Sequence, residues 1–437
     1  MRVLDAEKNI GIDVFYTKTK GTGGKLRFTP DDFVVDEISV YPPISQDGLY
    51  TIAEVSAKNW ETNLLIRELA RSLRISRSRI SFSGTKDKRA TTKRLMSFMQ
   101  VPPESLTKLK IRNVEIKNVY KSDRPVRIGD HIGNAFSIII RNINEEVTLD
   151  DINETISSLL SIGGFPNFYG VQRFGIMRPL THLIGRYIIS GDFERAVMTY
   201  IAEPVEGEDE KTYNLRKRLK ESLDFQEALQ SYPDGLIFEK AILNRLIQKP
   251  DDFINALNVL PRNLLTMFVY AYQSYLFNRI LSERIKKGLP LNQATIGDIV
   301  VPISQGMVDE DYRVNVTPSN IDKINKQINR GRACVTGLLI GYNVSFAEGE
   351  MGEIERSVVD DEGIDPRDFI VPELPFLSST GSRRSLLARL RNLRYEYTDD
   401  ELNQGKKTLR LEFTLDKGCY ATSLLREIMK ADDIRGY

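Results

Sequence analysis

The sequence predicts an α+β protein in which one domain is split between the two ends of the chain. Residues 1–142 and the last fifty residues mix strand-like and helical segments, whereas residues 205–260 are polar and helical in character. The charge follows the same division. Residues 1–142 carry 25 Lys and Arg against 16 Asp and Glu, residues 383–437 carry 12 against 9, and the whole chain has a net charge of +1. Two basic ends therefore flank an acidic middle, as expected for an inserted domain.

Strands are predicted in the first third of the chain and again near its C-terminus. Residues 33–38 and 49–55 are apolar and β-branched on either side of a turn-rich segment, and residues 135–141 form a compact apolar run. Between residues 409 and 415, apolar side chains alternate with polar ones, which is typical of a strand with one buried face.

Helices are predicted where apolar residues recur at helical spacing, as over residues 61–74, 149–162 and 422–430. A long apolar helix over 264–287 ends at a glycine with a proline just beyond, and we expect it in the core of the middle domain. The acidic segment 355–368 is expected to be a surface loop.

Composition excludes several classes of protein. No apolar run approaches the roughly 20 residues that a membrane span needs, and the N-terminus lacks the apolar stretch of a signal peptide. We therefore expect a cytoplasmic protein. Two cysteines and two histidines, His131 and His182, provide no CxxC pair, so we expect no metal site and treat both histidines as scaffold residues. The absence of a heptad pattern favours a monomer.

The densest functional signal lies in residues 67–94, which hold ten basic residues and only two acids. Within it, Asp87 stands in a short polar loop beside Lys86, Lys88 and Arg89. Neighbouring cations favour an ionised carboxylate, which can act as a nucleophile or base, while the cations hold RNA phosphates. The alternative is that Asp87 only closes a turn or neutralises the cluster.

Two further segments have features of RNA-binding sites. The loop GGFPNFYGVQRFG (163–175) places aromatic residues beside Arg173, an arrangement that stacks unpaired bases. The alternative is a packed loop with buried aromatics. The segment DKGCYATSLLRE (416–427) predicts a strand, a tight turn and a helix, and the adjacent Arg383 and Arg384 are a weaker indication of phosphate contact.

Taken together and in this order, seven segments resemble the TruD family of pseudouridine synthases. The resemblance runs from about residue 21 to residue 430, and the segments SGTKDKRAT (83–91) and PNFYGVQRFG (166–175) are long and specific. The segments are RFTPDDFVVDE (27–37), SGTKDKRAT (83–91), GNAFSIIIR (133–141), PNFYGVQRFG (166–175), AYQSYLFN (271–278), SRRSLL (382–387) and KGCYATSLLRE (417–427).

The resemblance implies a catalytic domain with a mixed, largely antiparallel sheet and flanking helices, split by an inserted α/β TRUD domain. The expected parts are residues 1–165, 166–388 and 389–437. Asp87 falls at the family's catalytic position, and the basic position occupied by Arg27 is often lysine in relatives. The expected substrate-binding residues are Phe33, Asn167, Tyr169, Tyr420 and Arg27. The expected RNA phosphate contacts are Lys86, Lys88, Arg89, Arg173, Arg383 and Arg384.

The implied activity is the isomerisation of a uridine to pseudouridine in tRNA, with uridine 13 of the D arm as the expected target. Other RNAs are a further class of partner. The reaction is redox-neutral, so no cofactor is expected. Asp87 would either attack C1′ or remove a proton from C2′, and the sequence leaves both routes open. Three rival functions are a catalytically silent RNA-binding protein, an RNA methyltransferase and an interaction protein that docks through the acidic segment. The methyltransferase should show a glycine-rich cofactor loop, and the sequence has none.

Overall fold

The computed structural model describes residues 3–304, 307–309 and 311–437. The strands in this part of the chain are β1 (Phe33–Ser39), β2 (Tyr50–Lys58), β3 (Ile80–Phe82), β4 (Thr91–Met99), β5 (Val114–Ser122), β6 (His131–Ile143), β7 (Gly164–Pro166), β8 (Ile299–Ser304), β9 (Met307–Val308), β10 (Val314–Asn315), β11 (Ala333–Leu339), β12 (Ser382–Ser385), β13 (Leu387–Arg389), β14 (Arg391–Asp399) and β15 (Lys407–Asp416).

The helices alternate with these strands at both ends of the chain and dominate its middle. They are α1 (Asp5–Lys8), α2 (Thr62–Leu73), α3 (Pro103–Thr107), α4 (Leu149–Ser161), α5 (Thr181–Ile189), α6 (Phe193–Ala202), α7 (Glu210–Ser222), α8 (Phe225–Ser231), α9 (Ile237–Gln248), α10 (Phe253–Leu257), α11 (Arg262–Lys286), α12 (Ile321–Asn329), α13 (Gly349–Glu362) and α14 (Ala421–Met429).

The large sheet joins the two ends of the chain. Its strand order is β14-β15-β6-β1-β4-β2-β5, with β3 paired to β4. Only the β1–β4 pairing is parallel among the described strands of this sheet. The C-terminal strands β14 and β15 thus continue a sheet begun by the N-terminal third. The predicted α+β class and the mixed, largely antiparallel sheet are confirmed.

The middle of the chain forms a second core around α11. The buried side of this helix includes Leu265, Phe268, Tyr272 and Phe277, so the predicted core helix is confirmed. A smaller sheet, ordered β10-β8-β11-β12 with β9 on β8, packs with it. The polar stretch 205–260 is helical as predicted, in α7 to α10. Among the described residues, no helix has the length and apolar composition needed to cross a bilayer.

The chain leaves and re-enters the large-sheet region through a two-stranded antiparallel ribbon. Strands β7 and β13 pair with Leu387 opposite Pro166, Ala388 opposite Phe165 and Arg389 opposite Gly164. The predicted domain limits at 165/166 and 388/389 fall on this ribbon, and they stay a prediction.

Residues 10–12 of the N-terminal segment pack on the middle core, whereas Glu7 and Thr17 contact α14 beside the large sheet. Ile10 and Ile12 belong to that core. Asn278 of α11 donates a hydrogen bond to the carbonyl of Ile10 (3.0 Å) and accepts one from the amide of Tyr169 (2.9 Å). Gly11 has a φ of +82°, and a Cβ there would lie 2.6 Å from the carbonyl oxygen of Tyr275. Only glycine permits this approach. Residues 10–12 therefore attach the N-terminal segment to α11.

The prediction of a surface loop over 355–368 is wrong, because helix α13 extends to Glu362. Met351, Ile354, Val358 and Val359 are buried along one face of α13. Their spacing of three, four and one follows the helical period. The high density of acidic residues obscured this apolar stripe.

Candidate active site

One face of the large sheet forms the floor of the candidate site. Val35 on β1 lies directly opposite Phe136 on β6, and Phe33 lies opposite Ile138. Because side chains two residues apart on a strand share a face, Phe33, Val35 and Phe136 point to the same side. The ring of Phe136 meets that of Phe33 edge to face, with centroids 6.4 Å apart. The floor is therefore apolar and aromatic.

The loop between β3 and β4 passes over this floor and carries Asp87. A cavity of about 300 Å³ lies beneath it. The described residues that line the cavity are Phe33, Val35, Gly84, Thr85, Lys86, Asp87, His131, Asn134, Phe136, Gln172, Cys419, Tyr420, Ala421 and Thr422. Four of the predicted site residues thus share one cavity, namely Asp87, Phe33, Tyr420 and Lys86.

Arg27 links the carboxylate to the aromatic wall. Its guanidinium lies 3.4 Å from Oδ2 of Asp87 and 4.0 Å above the ring of Phe33. The backbone of Arg27 has a φ of +53°, an uncommon conformation for a residue other than glycine. Such strain persists where surrounding structure holds it, often at functional sites. The structure therefore places Arg27 beside Asp87.

Lys86 attaches the Asp87 loop to β1 and to α2. Its ammonium lies 2.8 Å from Oε2 of Glu37, with the two side chains 6% and 0% exposed. Its amide donates to the hydroxyl of Thr62 at 3.1 Å. Burial opposes the ionisation of Glu37, but Lys86 and the hydroxyls of Ser83 and Ser39 together hold its pKa below the usual value. The predicted contact of Lys86 with RNA phosphates stays a prediction, and it would require the ammonium to leave Glu37.

Lys88 and Arg89 are exposed at the rim of the same loop. Arg89 donates to the carbonyl of Phe28 at 3.3 Å, which keeps its guanidinium beside the segment that carries Arg27. Both side chains are accessible to a phosphate, and their predicted role stays a prediction.

Tyr169 lies behind Tyr420 and outside the lining of the cavity. The two rings meet at a centroid distance of 5.8 Å, and Tyr169 also packs edge to face on Phe277 at 5.7 Å. Tyr169 is only 9% exposed. Burial raises the pKa of Tyr420. The structure thus brings Tyr169 next to a cavity wall rather than into the wall itself.

Arg384 covers the remaining face of Tyr169 and connects it to Asn167. Its guanidinium lies 4.0 Å from the centroid of the Tyr169 ring. The same group donates to Oδ1 of Asn167 at 2.7 Å and to the carbonyl of Gly418 at 2.9 Å. Asn167 in turn donates to the carbonyl of Ser385 at 2.9 Å. Both Oδ1 and Nδ2 of Asn167 therefore already have hydrogen-bond partners within the protein.

Asn167 and Arg384 line a second cavity of about 300 Å³. Cys419 lines both this cavity and the one below Asp87, so the two adjoin. Asn167 therefore lines the neighbouring cavity and not the cavity that Asp87 lines.

The two adjacent arginines on β12 have different surroundings because strand residues alternate sides. Arg383 is 0% exposed, pairs with the buried Glu355 and donates to the carbonyl of Thr336 at 3.1 Å. The predicted contact of Arg383 with phosphate stays a prediction, and it would require the guanidinium to leave Glu355. Arg173 is partly exposed, donates to the hydroxyl of Ser274 at 3.1 Å and lies 5.6 Å from the Tyr169 ring.

The sequence interpretation gave no site role to several residues that line the cavity, among them His131, Asn134 and Gln172. His131 was expected to be a scaffold residue, yet it lies beside the Asp87 loop. The available signal was the strand period, because Asn134 and Phe136 are two residues apart on β6 and share a face. Among the described residues, no group of three or more His, Cys, Asp or Glu side chains is placed to hold a metal ion.

Comparisons with known proteins agree with this architecture. The sequence profile described as tRNA pseudouridine synthase D (TruD) matches residues 9–428. A probable tRNA pseudouridine synthase D from Methanococcoides burtonii is 43% identical over 436 residues, covering 99% of each chain. Its counterpart from Pyrococcus abyssi is 36% identical and covers 95% of this chain and 98% of its own.

A solved structure gives the same result at the level of the fold. The crystal structure of the putative tRNA pseudouridine synthase D (TruD) from Methanosarcina mazei superposes with a TM-score of 0.89 and 42% identity, and the match covers 100% of both chains. With whole-length matches in sequence and in structure, the chain belongs to the TruD family of tRNA pseudouridine synthases, which are isomerases.

Proposed function

We propose that the chain converts uridine 13 in the D arm of tRNA to pseudouridine, with Asp87 as the catalytic carboxylate. The observation that supports this most strongly is the position of Asp87 at the mouth of an aromatic-walled cavity, beside the Arg27 guanidinium. A volume of about 300 Å³ is within the range of small-ligand sites. The cavity is therefore large enough for one extruded base.

The target base has to leave its stack to reach this carboxylate, at a cost of a few kcal/mol. Phe33, Phe136 and Tyr420 offer aromatic surface that offsets part of this cost, because base–aromatic stacking contributes about 1–3 kcal/mol. The walls also exclude water, which protects the detached uracil from being lost.

The reaction breaks the N1–C1′ bond, turns the uracil and forms a C5–C1′ bond. The proton on C5 is lost and N1 gains one, so the overall change is an isomerisation. Asp87 either attacks C1′ or removes a proton from C2′, and both routes require an ionised carboxylate near the ribose. Arg27, whose guanidinium lies 3.4 Å from Oδ2 of Asp87, restricts the position of the carboxylate.

The backbone of the RNA is held by the exposed cations at the rim, Lys88 and Arg89, with Arg173 and Arg384 near the second cavity. Phosphate contacts of this kind fix position without reading sequence. Other folded RNAs with an accessible uridine form a further class of substrate. The place of action is the cytoplasm, and the active species is a monomer.

A tRNA transcript tests the proposed target directly. The purified chain is incubated with a transcript that has uridine at position 13 and with one that has cytidine there, and pseudouridines are mapped at each position. We expect one pseudouridine at position 13 in the first transcript and none in the second. Modification only at another position would overturn the target, and no modification of either transcript or of total cellular RNA would overturn the activity.

Tyr169 provides a graded test of the aromatic wall. Tyr169→Phe should be mild, because the ring contacts to Tyr420, Phe277 and Arg384 do not involve the hydroxyl. Tyr169→Ala should reduce kcat/KM by roughly 10- to 100-fold, equivalent to the 1–3 kcal/mol of a lost stacking partner. The uracil can stack on Tyr169 itself only if Tyr420 or Arg384 moves, since both cover its ring here.

Steady-state kinetics on the position-13 substrate, below the melting temperature of each variant, measures both changes. An inactive, folded phenylalanine variant would show that the hydroxyl has a chemical role. An alanine variant with normal kcat/KM would remove Tyr169 from the site.

A further inference from the structure

Two buried polar atoms in the cavity below Asp87 have no hydrogen-bond partner among the described residues. They are Nδ1 of His131 and Oδ1 of Asn134, and both residues line the cavity. Buried side-chain polar atoms are nearly always paired in folded proteins, so each exception needs a reason. Because both residues line one cavity, a ligand bound there is a candidate partner for the two atoms.

The strand geometry shows how both side chains reach the cavity. Asn134 lies opposite Glu37, and its neighbour two positions on, Phe136, forms the floor. His131 is three residues before Asn134, and strict alternation would turn it to the other face of the sheet. A register shift between Ile38 and Ser39 interrupts the alternation, so that His131 pairs with Ser39. Bulges commonly redirect side chains beside active sites.

The glycine between them is required by the neighbouring strand. A Cβ on Gly133 would lie 2.3 Å from the carbonyl oxygen of Leu415 on β15. The backbone of β6 can therefore keep its bulged path only with glycine at this position.

The protonation state of His131 makes Nδ1 an acceptor. Burial and the nearby Lys86 and Lys417 lower the pKa of His131, against the opposite effects of Glu37 and of a hydrogen bond to the Ser83 carbonyl. The imidazole is therefore neutral at pH 7. A neutral imidazole has one nitrogen that donates and one that accepts, so Nδ1 is an acceptor in the tautomer that carries its proton on Nε2. The unpaired oxygen of Asn134 is an acceptor as well.

We propose that Asn134 accepts a hydrogen bond from N3–H of the target uracil and that His131 accepts one from the 2′-hydroxyl of its ribose. This inference rests on the proposed function and assigns two further substrate-binding residues to it. Uridine presents these two donors, and they match the two acceptors in number and type.

The position of each acceptor determines its assignment. Asn134 lies on the aromatic floor with Phe136, where a stacked base is held. His131 lies against the catalytic loop, because a Cβ on Gly84 would be 3.5 Å from Cε1 of His131. Asp87 acts on the ribose, so the sugar occupies the side of the cavity nearest to this loop.

Leucine substitutions remove each acceptor with little change in size. His131→Leu and Asn134→Leu should each lower kcat/KM on the position-13 substrate by about tenfold, the effect of one hydrogen bond. His131→Asn places an amide oxygen near the former Nδ1 and should recover most of the loss. His182→Leu is the matched control. Nδ1 of His182 is also buried without a partner, but His182 is packed between the rings of Phe174 and Tyr275 in the middle core, so kcat/KM should not change.

The ribose contact is tested with RNA that carries 2′-deoxyuridine at the target position. In an Asp87→Asn background, which removes the chemical step, the deoxy substitution should weaken binding about tenfold when residue 131 is histidine. In the His131→Leu variant the deoxy substitution should not weaken RNA binding further. In the Asn134→Leu variant it should still weaken binding about tenfold.

The outcomes separate this inference from the proposed function. An active wild-type chain whose leucine variants keep their kcat/KM, or a deoxy effect that is the same with histidine and leucine at position 131, would overturn the acceptor pair alone. A wild-type chain that forms no pseudouridine in any RNA would overturn the function on which the pair rests.

Discussion

Replacing Asp87 by asparagine is expected to abolish pseudouridine formation while RNA binding stays within about tenfold, or ~1.4 kcal/mol, of the wild type. The amide keeps the size of the side chain but can neither attack C1′ nor take a proton from C2′. The Asp87 side chain is 47% exposed, so the change leaves no deeply buried partner unsatisfied and should not alter the melting temperature.

Pseudouridine mapping after prolonged incubation measures the loss, and filter binding measures affinity. The matched control is Asp36→Asn, on the same strand as Phe33 but exposed on the opposite face of the sheet. This control should retain full activity. Normal turnover by the Asp87 variant would end its assignment as the catalytic group.

Removing the Arg141 side chain should cause a large loss of stability. Arg141 on β6 lies 2.9 Å from Asp32 and 2.8 Å from Asp400, and all three side chains are buried. Asp32 immediately precedes Phe33, and Asp400 lies in the turn between β14 and β15. Arg141→Met would leave two buried carboxylates without their cation, which costs about 3–5 kcal/mol. Urea denaturation at pH 7 measures the change.

The exposed pair between Arg367 and Asp365 provides the control, because both side chains are largely in solvent. Arg367→Met makes the same chemical change and should leave the free energy of unfolding close to that of the wild type, because exposed ion pairs contribute little. A loss of equal size in the two variants would show that burial of the Arg141 network does not determine its contribution.

The Arg141 network should also weaken in acid. Burial opposes the ionisation of Asp400, but hydrogen bonds from Asn403, from the amides of Leu402 and Asn142 and from Arg141 hold its pKa at about 2. A carboxyl whose pKa is lowered by folding contributes stability above its ordinary pKa of about 3.9, and this contribution is lost as the pH falls towards 2. The stability gap between wild type and Arg141→Met should therefore narrow between pH 4 and pH 2.

Local sequence patterns predicted the strands and helices because each depends on neighbouring residues. The alternation over 409–415 and the spacing of leucines over 61–74 are properties of one element, and β15 and α2 follow them. The same period-2 rule, applied to Arg383 and Arg384, would have indicated that only one of the two could face a ligand. The helical spacing of Met351, Ile354, Val358 and Val359 would likewise have predicted helix α13.

The cavity could not be predicted in this way, because five distant segments assemble it. Residues 33–35 and 131–136 meet through antiparallel pairing, and the loop 84–87, Gln172 and residues 419–422 complete the lining. Family resemblance located Asp87, Phe33 and Tyr420, but it did not indicate that Lys86 is paired with Glu37. That pairing depends on a buried side chain 49 residues away in the sequence.

The ribbon of β7 and β13 has a mechanical consequence. Its two strands are two passages of the chain between the large-sheet region and the middle core. A third passage runs from Ile10 and Ile12, which belong to the middle core, to Phe33 of the large-sheet core. Any rotation of one core about the ribbon would therefore have to stretch or rearrange residues 13–32.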